Sequence, residues 1–162
     1  MRVRDGAPRV PEWIVPWFSS EPLTVGTAAP DFSLADESGR VITLSELKGK
    51  KAVLVFYPGD DTPGCTRQLC EFRDRWDALQ DLGIEVFGVN PQGAAAHARF
   101  RAKFQFPFPL LVDKGRQVAK LYQAKGLIVK RTVYLIGPDG VIRFARRGMP
   151  KPSEVMAAAG EG

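Results

Sequence analysis

The chain has 162 residues, 44% hydrophobic and 25% charged, which excludes a disordered or fibrous chain and supplies one domain with enough apolar surface for its own core. Two cysteines and a single histidine exclude a disulfide scaffold and fall short of a structural zinc site, leaving the thiols as buried apolar residues or as chemistry. The net charge of +5 is spread along the chain and interleaved with acidic residues, which reads as a solvated basic surface and not as a nucleic-acid footprint.

In chain order, the opening stretch MRVRDGAPRVPEWIVPWFSS is interrupted by Pro11 and Pro16. It contains no h-region, and no apolar run in the chain approaches the roughly 18 to 20 residues that span a bilayer, so a cytoplasmic protein with no membrane partner is expected. Residues 1–24 read as a Pro-rich arm, with Trp13, Ile14, Val15, Trp17 and Phe18 packing on the domain itself or docking on a partner. Residues 25–162 read as a single domain.

DFSLADESGRVITLSEL predicts two short strands about a Gly39 turn and then a helical turn from Ser45. KAVLVFYP, from Lys51, is an almost unbroken apolar run ended by Pro58, the pattern of a central strand buried on both faces. Leu69, Phe72, Trp76 and Leu79 then recur at helical spacing, predicting one helix from Pro63 to about Leu82 that Gly83 stops. IEVFGVN is the next strand, and the resulting β-α-β unit requires a parallel pair. A helix near residues 92–104, a short strand in FPLLVD, a helix near 115–122, an antiparallel hairpin turning at GPDG and a C-terminal helix from Ser153 complete the chain. The basic cluster RFARRGMPK reads as a sheet edge, and His97, in AAAHARF, as a surface or boundary residue with no role as a base.

Both cysteines lie in DDTPGCTRQLC. Thr62 suits an N-cap and Pro63 the first helical position, which puts Cys65 in the first turn, among backbone N–H groups that lack helical partners. Those dipoles favour a thiolate. Ionising most of an ordinary thiol at pH 7 takes a shift of ~2 units, about 2.7 kcal/mol, which exceeds what a helix terminus supplies and calls for a cation from elsewhere in the fold. On an ideal helix Cys70 lies about 140° from Cys65, on the side of Asp74, Asp77 and Asp81, with Cα atoms roughly 8.7 Å apart. Because an unstrained disulfide needs ~7 Å or less, bridging the two requires the first turns to unwind.

The segment FYPGDDTPGCTRQLCEFRD, with APDFSL, the GVN after the second long strand, FPFPLLVD and RTVYLIGPDG, closely resembles the peroxiredoxins of the bacterioferritin comigratory protein or PrxQ type. The resemblance runs from about Pro30 through Val155. It implies an α/β, thioredoxin-like fold, in which a central mixed sheet is flanked by helices behind an N-terminal β-hairpin. It also implies reduction of hydrogen peroxide and organic hydroperoxides without a cofactor or metal. By position, Cys65 matches the peroxidatic thiolate and Cys70 the resolving cysteine. Thr62 matches the residue that bonds thiolate and peroxide, Pro58 the residue that shields the pocket, and Arg131 the supporting cation. The resemblance further implies recycling by thioredoxin or a similar dithiol and a monomer or weak dimer. Gln68 stands where the family commonly has Glu, so Arg131 is expected to lack a carboxylate partner.

Two alternatives remain at this level. A thiol-disulfide oxidoreductase on the same fold is disfavoured by the C-x4-C spacing, since such enzymes use C-x-x-C. A redox-sensing or chaperone-like binding protein would unwind the same helix on oxidation and turn over little.

Overall fold

The computed structural model describes residues 21–161; the proposed docking of Trp13 to Phe18 lies outside the described residues. The strands are β1 (Ser33–Ala35), β2 (Val41–Thr43), β3 (Lys51–Phe56), β4 (Ile84–Asn90), β5 (Leu110–Val112), β6 (Thr132–Ile136) and β7 (Ile142–Arg147). The helices are α1 (Pro63–Asp74), α2 (Trp76–Asp81), α3 (Ala94–Phe104), α4 (Gln117–Leu121) and α5 (Pro152–Glu161). Strands β1 and β2 form an antiparallel hairpin about Gly39, whose φ of 89° only glycine adopts cheaply. A 3-10 turn over Leu44–Leu47 follows it.

The main sheet has the order β5-β4-β3-β6-β7. Strand β3 is parallel to β4 and antiparallel to β6, β4 is parallel to β5, and β6 and β7 form the hairpin closed by Gly137 to Gly140. A central mixed sheet flanked by helices, with a hairpin ahead of it, is the expected thioredoxin-like arrangement.

The apolar run of β3 explains why it is central. Val53, Val55 and the following Tyr57 point into one core with Cys65, Leu69 and Phe72 of α1. Ala52, Leu54 and Phe56 point into the other with Tyr122, Tyr134 and Ile136, which is the period-2 alternation of a strand covered on both faces. Burying Leu69 and Phe72 stabilises α1 on the sheet by ~1.5–3 kcal/mol each.

Two elements depart from the expected pattern. The helix predicted over residues 63–82 breaks at Arg75, which takes φ −108° and ψ 20° between α1 and α2. The apolar stripe survives the break because Leu79 stays fully buried and Trp76 packs on Phe108 at 5.9 Å between ring centroids. Asp77 and Asp81 therefore do not share a continuous face with Cys70. The C-terminal helix starts at Pro152, one residue before Ser153.

The basic cluster does begin on an edge strand, β7, which holds Arg143, Arg146 and Arg147, while Lys151 lies beyond its end. Two of the cluster's four cations pair with carboxylates, Arg143 with Asp139 and Arg146 with Glu154, and Arg147 donates to the hydroxyl of Thr132. No helix among the described residues is long and apolar enough to cross a membrane.

Candidate active site

Strand β3 delivers the chain to the site. Tyr57 extends the ladder by one residue, its N–H donating to the Val89 carbonyl at 3.2 Å, before Pro58 ends the strand. Asp61 turns the loop back at φ 58°, an uncommon backbone region for a residue other than glycine. Thr62 occupies the N-cap position of α1 with Pro63 at its start, as expected, and its carbonyl accepts from Thr66 N–H at 2.8 Å. The hydroxyl behaves differently from an N-cap: it donates to the Gly59 carbonyl at 3.1 Å, cross-bracing the loop. Its oxygen keeps lone pairs for an incoming donor.

Cys65 is fully buried in the first turn of α1, against the core that holds Val55, Tyr57 and Leu69. Arg131 immediately precedes β6, and the pairing of Thr132 with Phe56 brings that end of β6 beside the start of α1. A Cβ placed on Gly64 would sit 3.3 Å from Arg131 Nη2. The missing side chain at Gly64 thus leaves the guanidinium room against the residue preceding Cys65.

Gln68 is fully buried one turn further along α1. Arg131 Nη1 donates to Gln68 Oε1 at 2.9 Å, and Gln68 Nε2 points at the Gly148 carbonyl at 3.4 Å. The loop closes through Gly148 N–H, which donates to the Arg131 carbonyl at 2.8 Å. An amide accepts from the guanidinium and donates to the carbonyl at once, whereas a carboxylate has no proton for Gly148. The arginine therefore has an oriented acceptor without a second buried charge.

Both cysteines are free thiols. Cys70 is half-buried and packs at the margin of the core, so it does not stand on a purely polar face. Burial pushes its thiol above the usual value; Asp74 adds to that and Arg73 opposes it. A raised value keeps Cys70 protonated at neutral pH, so any reaction that needs its thiolate accelerates as pH rises toward and past the usual thiol range. Stopped-flow rates of Cys65 to Cys70 disulfide closure are expected to climb continuously from pH 7 to pH 9, and a flat profile would remove Cys70 ionisation as the control.

His97 is not at the surface. It is fully buried, with Nδ1 at 2.6 Å from Asp60 Oδ2 and Nε2 at 2.9 Å from the Leu111 carbonyl. Asp60 Oδ1 accepts from Tyr57 Oη at 2.7 Å and from Asn90 Nδ2 at 3.0 Å, and Asp60 N–H donates to Gln92 Oε1 at 2.5 Å. Burial, the Asp60 charge and hydrogen bond, and charge on Cys65 hold the Tyr57 phenol well above its usual value, so it stays a donor. Tyr57 also packs in the same core as Cys65. Sequence reading missed the whole group, since no spacing signal links residues 57, 60, 90 and 97.

The structure brings Thr62, Cys65, Gln68 and Arg131 together where β3, α1 and β6 meet, with Cys70 farther along α1; Pro58 stands in the loop between β3 and α1. With that geometry in place, the comparisons are specific. Residues 25–145 match the family model described as AhpC/TSA family. A putative peroxiredoxin bcp of Coxiella burnetii (strain RSA 493 / Nine Mile phase I) is 41% identical over 131 residues, covering 74% of this chain and 85% of the relative. A putative chloroplastic peroxiredoxin Q of Oryza sativa subsp. indica is 38% identical over 136 residues, 82% of this chain; the match spans 63% of the rice protein. Among solved structures, peroxidoxin BcpB from Mycobacterium tuberculosis superposes with a TM-score of 0.81 at 28% identity, covering 86% of this chain and 97% of that one. A PrxQ mutant from Xylella fastidiosa gives 0.76 at 26% identity, covering 86% and 94%. The chain belongs to the AhpC/TSA family, in its peroxiredoxin Q and bcp branch.

Proposed function

We propose that the chain is a thiol-dependent peroxidase that reduces hydrogen peroxide and organic hydroperoxides. The observation that carries this reading is the placement of the Arg131 guanidinium against Gly64, at the helix start that holds the buried Cys65. A cation and a helix N-terminus acting on one thiol favour its nucleophilic thiolate. The Cys65 thiolate attacks the distal oxygen of the hydroperoxide, the O–O bond breaks, and the leaving alkoxide or hydroxide departs as alcohol or water after taking a proton. Arg131 and the Thr62 hydroxyl face the oxygens on which charge develops, and Pro58 covers the approach.

The Cys70 thiolate then attacks the sulfur of the Cys65 sulfenic acid; the S–S bond forms as the S–O bond breaks, and the leaving hydroxide takes up a proton and departs as water. Because the two thiols sit on different faces of α1, that step unwinds the helix from Pro63 to Cys70. A dithiol reductant returns two electrons and two protons, and thioredoxin is the candidate. Two cysteines, too few for a disulfide scaffold, suit a reducing compartment such as the cytoplasm, and the assembly is read as a monomer or weak dimer.

The test is turnover: reduced protein is mixed with hydrogen peroxide, and thiol loss and recovery are followed with a thioredoxin system. Repeated cycles are expected. A single stoichiometric oxidation with no recovery under any dithiol favours the redox-sensing alternative.

A further inference from the structure

The loop that leads into Cys65 is held to the rest of the protein mainly through one residue. Asp60 makes four hydrogen bonds, to Tyr57 Oη, Asn90 Nδ2, His97 Nδ1 and, from its own N–H, to Gln92 Oε1. The partners come from the end of β3, the end of β4, α3 and the turn between β4 and α3. Its neighbour Asp61 adds only an exposed ion pair to Lys103 at 2.9 Å.

The proton count at His97 follows from the geometry. The Leu111 carbonyl can only accept, so Nε2 carries a proton. The 2.6 Å contact between Nδ1 and Asp60 Oδ2 then needs a second proton between them, since without it two lone pairs would face each other. With the side chains 0% and 4% exposed, water does not replace that bond while the loop is closed.

We infer that the Asp60 and His97 pair is a latch: it positions the loop for attack by Cys65 on peroxide, and its opening governs how fast Cys65 reaches Cys70. The inference rests on the roles proposed above for the two cysteines. Unwinding α1 from its first residue pulls directly on Thr62, Asp61 and Asp60, so closure of the disulfide strains the latch, whereas attack on peroxide needs it intact. Asp60 and His97 are positioning residues, since neither touches the reacting sulfur.

Two substitutions at one position separate this role from general stability. In His97→Asn the amide nitrogen takes the place of Nδ1 and still donates to Asp60, but the Leu111 carbonyl loses its donor. In His97→Gln the amide nitrogen takes the place of Nε2 and serves Leu111, leaving Asp60 Oδ2 without a donor. Each variant forfeits one buried hydrogen bond, the stronger one being that to the Asp60 carboxylate; a purely structural role therefore predicts a larger loss of global stability in His97→Gln, read by thermal unfolding, without opposite changes in the two rates. The latch predicts that His97→Gln slows Cys65 oxidation and speeds disulfide closure, each by about tenfold, with His97→Asn changing both by much less.

Hydrogen-deuterium exchange of residues 58–66 in the reduced protein gives a readout independent of peroxide chemistry: His97→Gln should exchange about tenfold faster than His97→Asn. If neither variant folds, Asp60→Asn and Asp60→Ala give the same contrast. The asparagine amide donates to a neutral imidazole while its oxygen accepts from Tyr57 and Asn90; alanine supports none of these bonds. Equal exchange within each pair overturns the latch. A parent protein whose Cys65 ignores peroxide overturns the peroxidase reading, while the exchange experiment still decides the latch.

Discussion

Replacing Cys65 with serine is expected to reduce peroxide consumption to the uncatalysed background, whereas Cys70→Ser should permit one oxidation of Cys65 and then stop. The asymmetry follows from chemistry and placement. A serine hydroxyl at the start of α1 stays protonated beside the same dipoles and the same Arg131, and oxygen cannot form the sulfenic acid on which the second step depends. The fold should survive, because the change is nearly isosteric at a site whose neighbours Val55, Tyr57 and Leu69 keep their packing. Cys70 lies at the core margin and takes no part in the first step. Mass spectrometry of Cys70→Ser after one equivalent of peroxide should therefore show a single added oxygen on Cys65. Normal cycling of that variant with thioredoxin would remove Cys70 from the mechanism, and peroxide turnover by Cys65→Ser would remove the first assignment.

What the sequence made legible was what depends on local pattern. The apolar run from Ala52 to Phe56 announces a strand buried on both faces, and its alternate residues do enter separate cores. The Thr62 and Pro63 start places Cys65 correctly, because cap and first-turn preferences act over four or five residues. Tertiary context decided the remainder. The wheel of Leu69, Phe72, Trp76 and Leu79 gives no warning of the break at Arg75, since both sides of the break still bury apolar residues. His97 reads as a surface residue because its partners, Asp60 and Leu111, are 37 and 14 residues away, and only the packing of α3 beside β5 and the loop before α1 supplies them. A buried imidazole of this kind is stable only when both nitrogens are satisfied, which no local pattern encodes. Gln68 was legible, through the resemblance, as a departure at the position that partners Arg131, 63 residues along; that its amide also reaches the Gly148 carbonyl was not.

Arg131→Met should slow oxidation of Cys65 by roughly 10²-fold to 10³-fold, the cost of losing one preorganised donor at a charge-developing centre. Methionine preserves the unbranched stem and much of the volume while removing five N–H donors and the charge. Without the guanidinium beside Gly64, the site loses the donor that meets negative charge developing on the peroxide oxygens. Stopped-flow oxidation of Cys65 by hydrogen peroxide reads that loss. Loss of Arg131 also strands the Oε1 of buried Gln68, adding a stability cost of about 1–3 kcal/mol that thermal unfolding would register. An unchanged oxidation rate would exclude Arg131 from the reaction and leave Cys65 to the helix terminus alone.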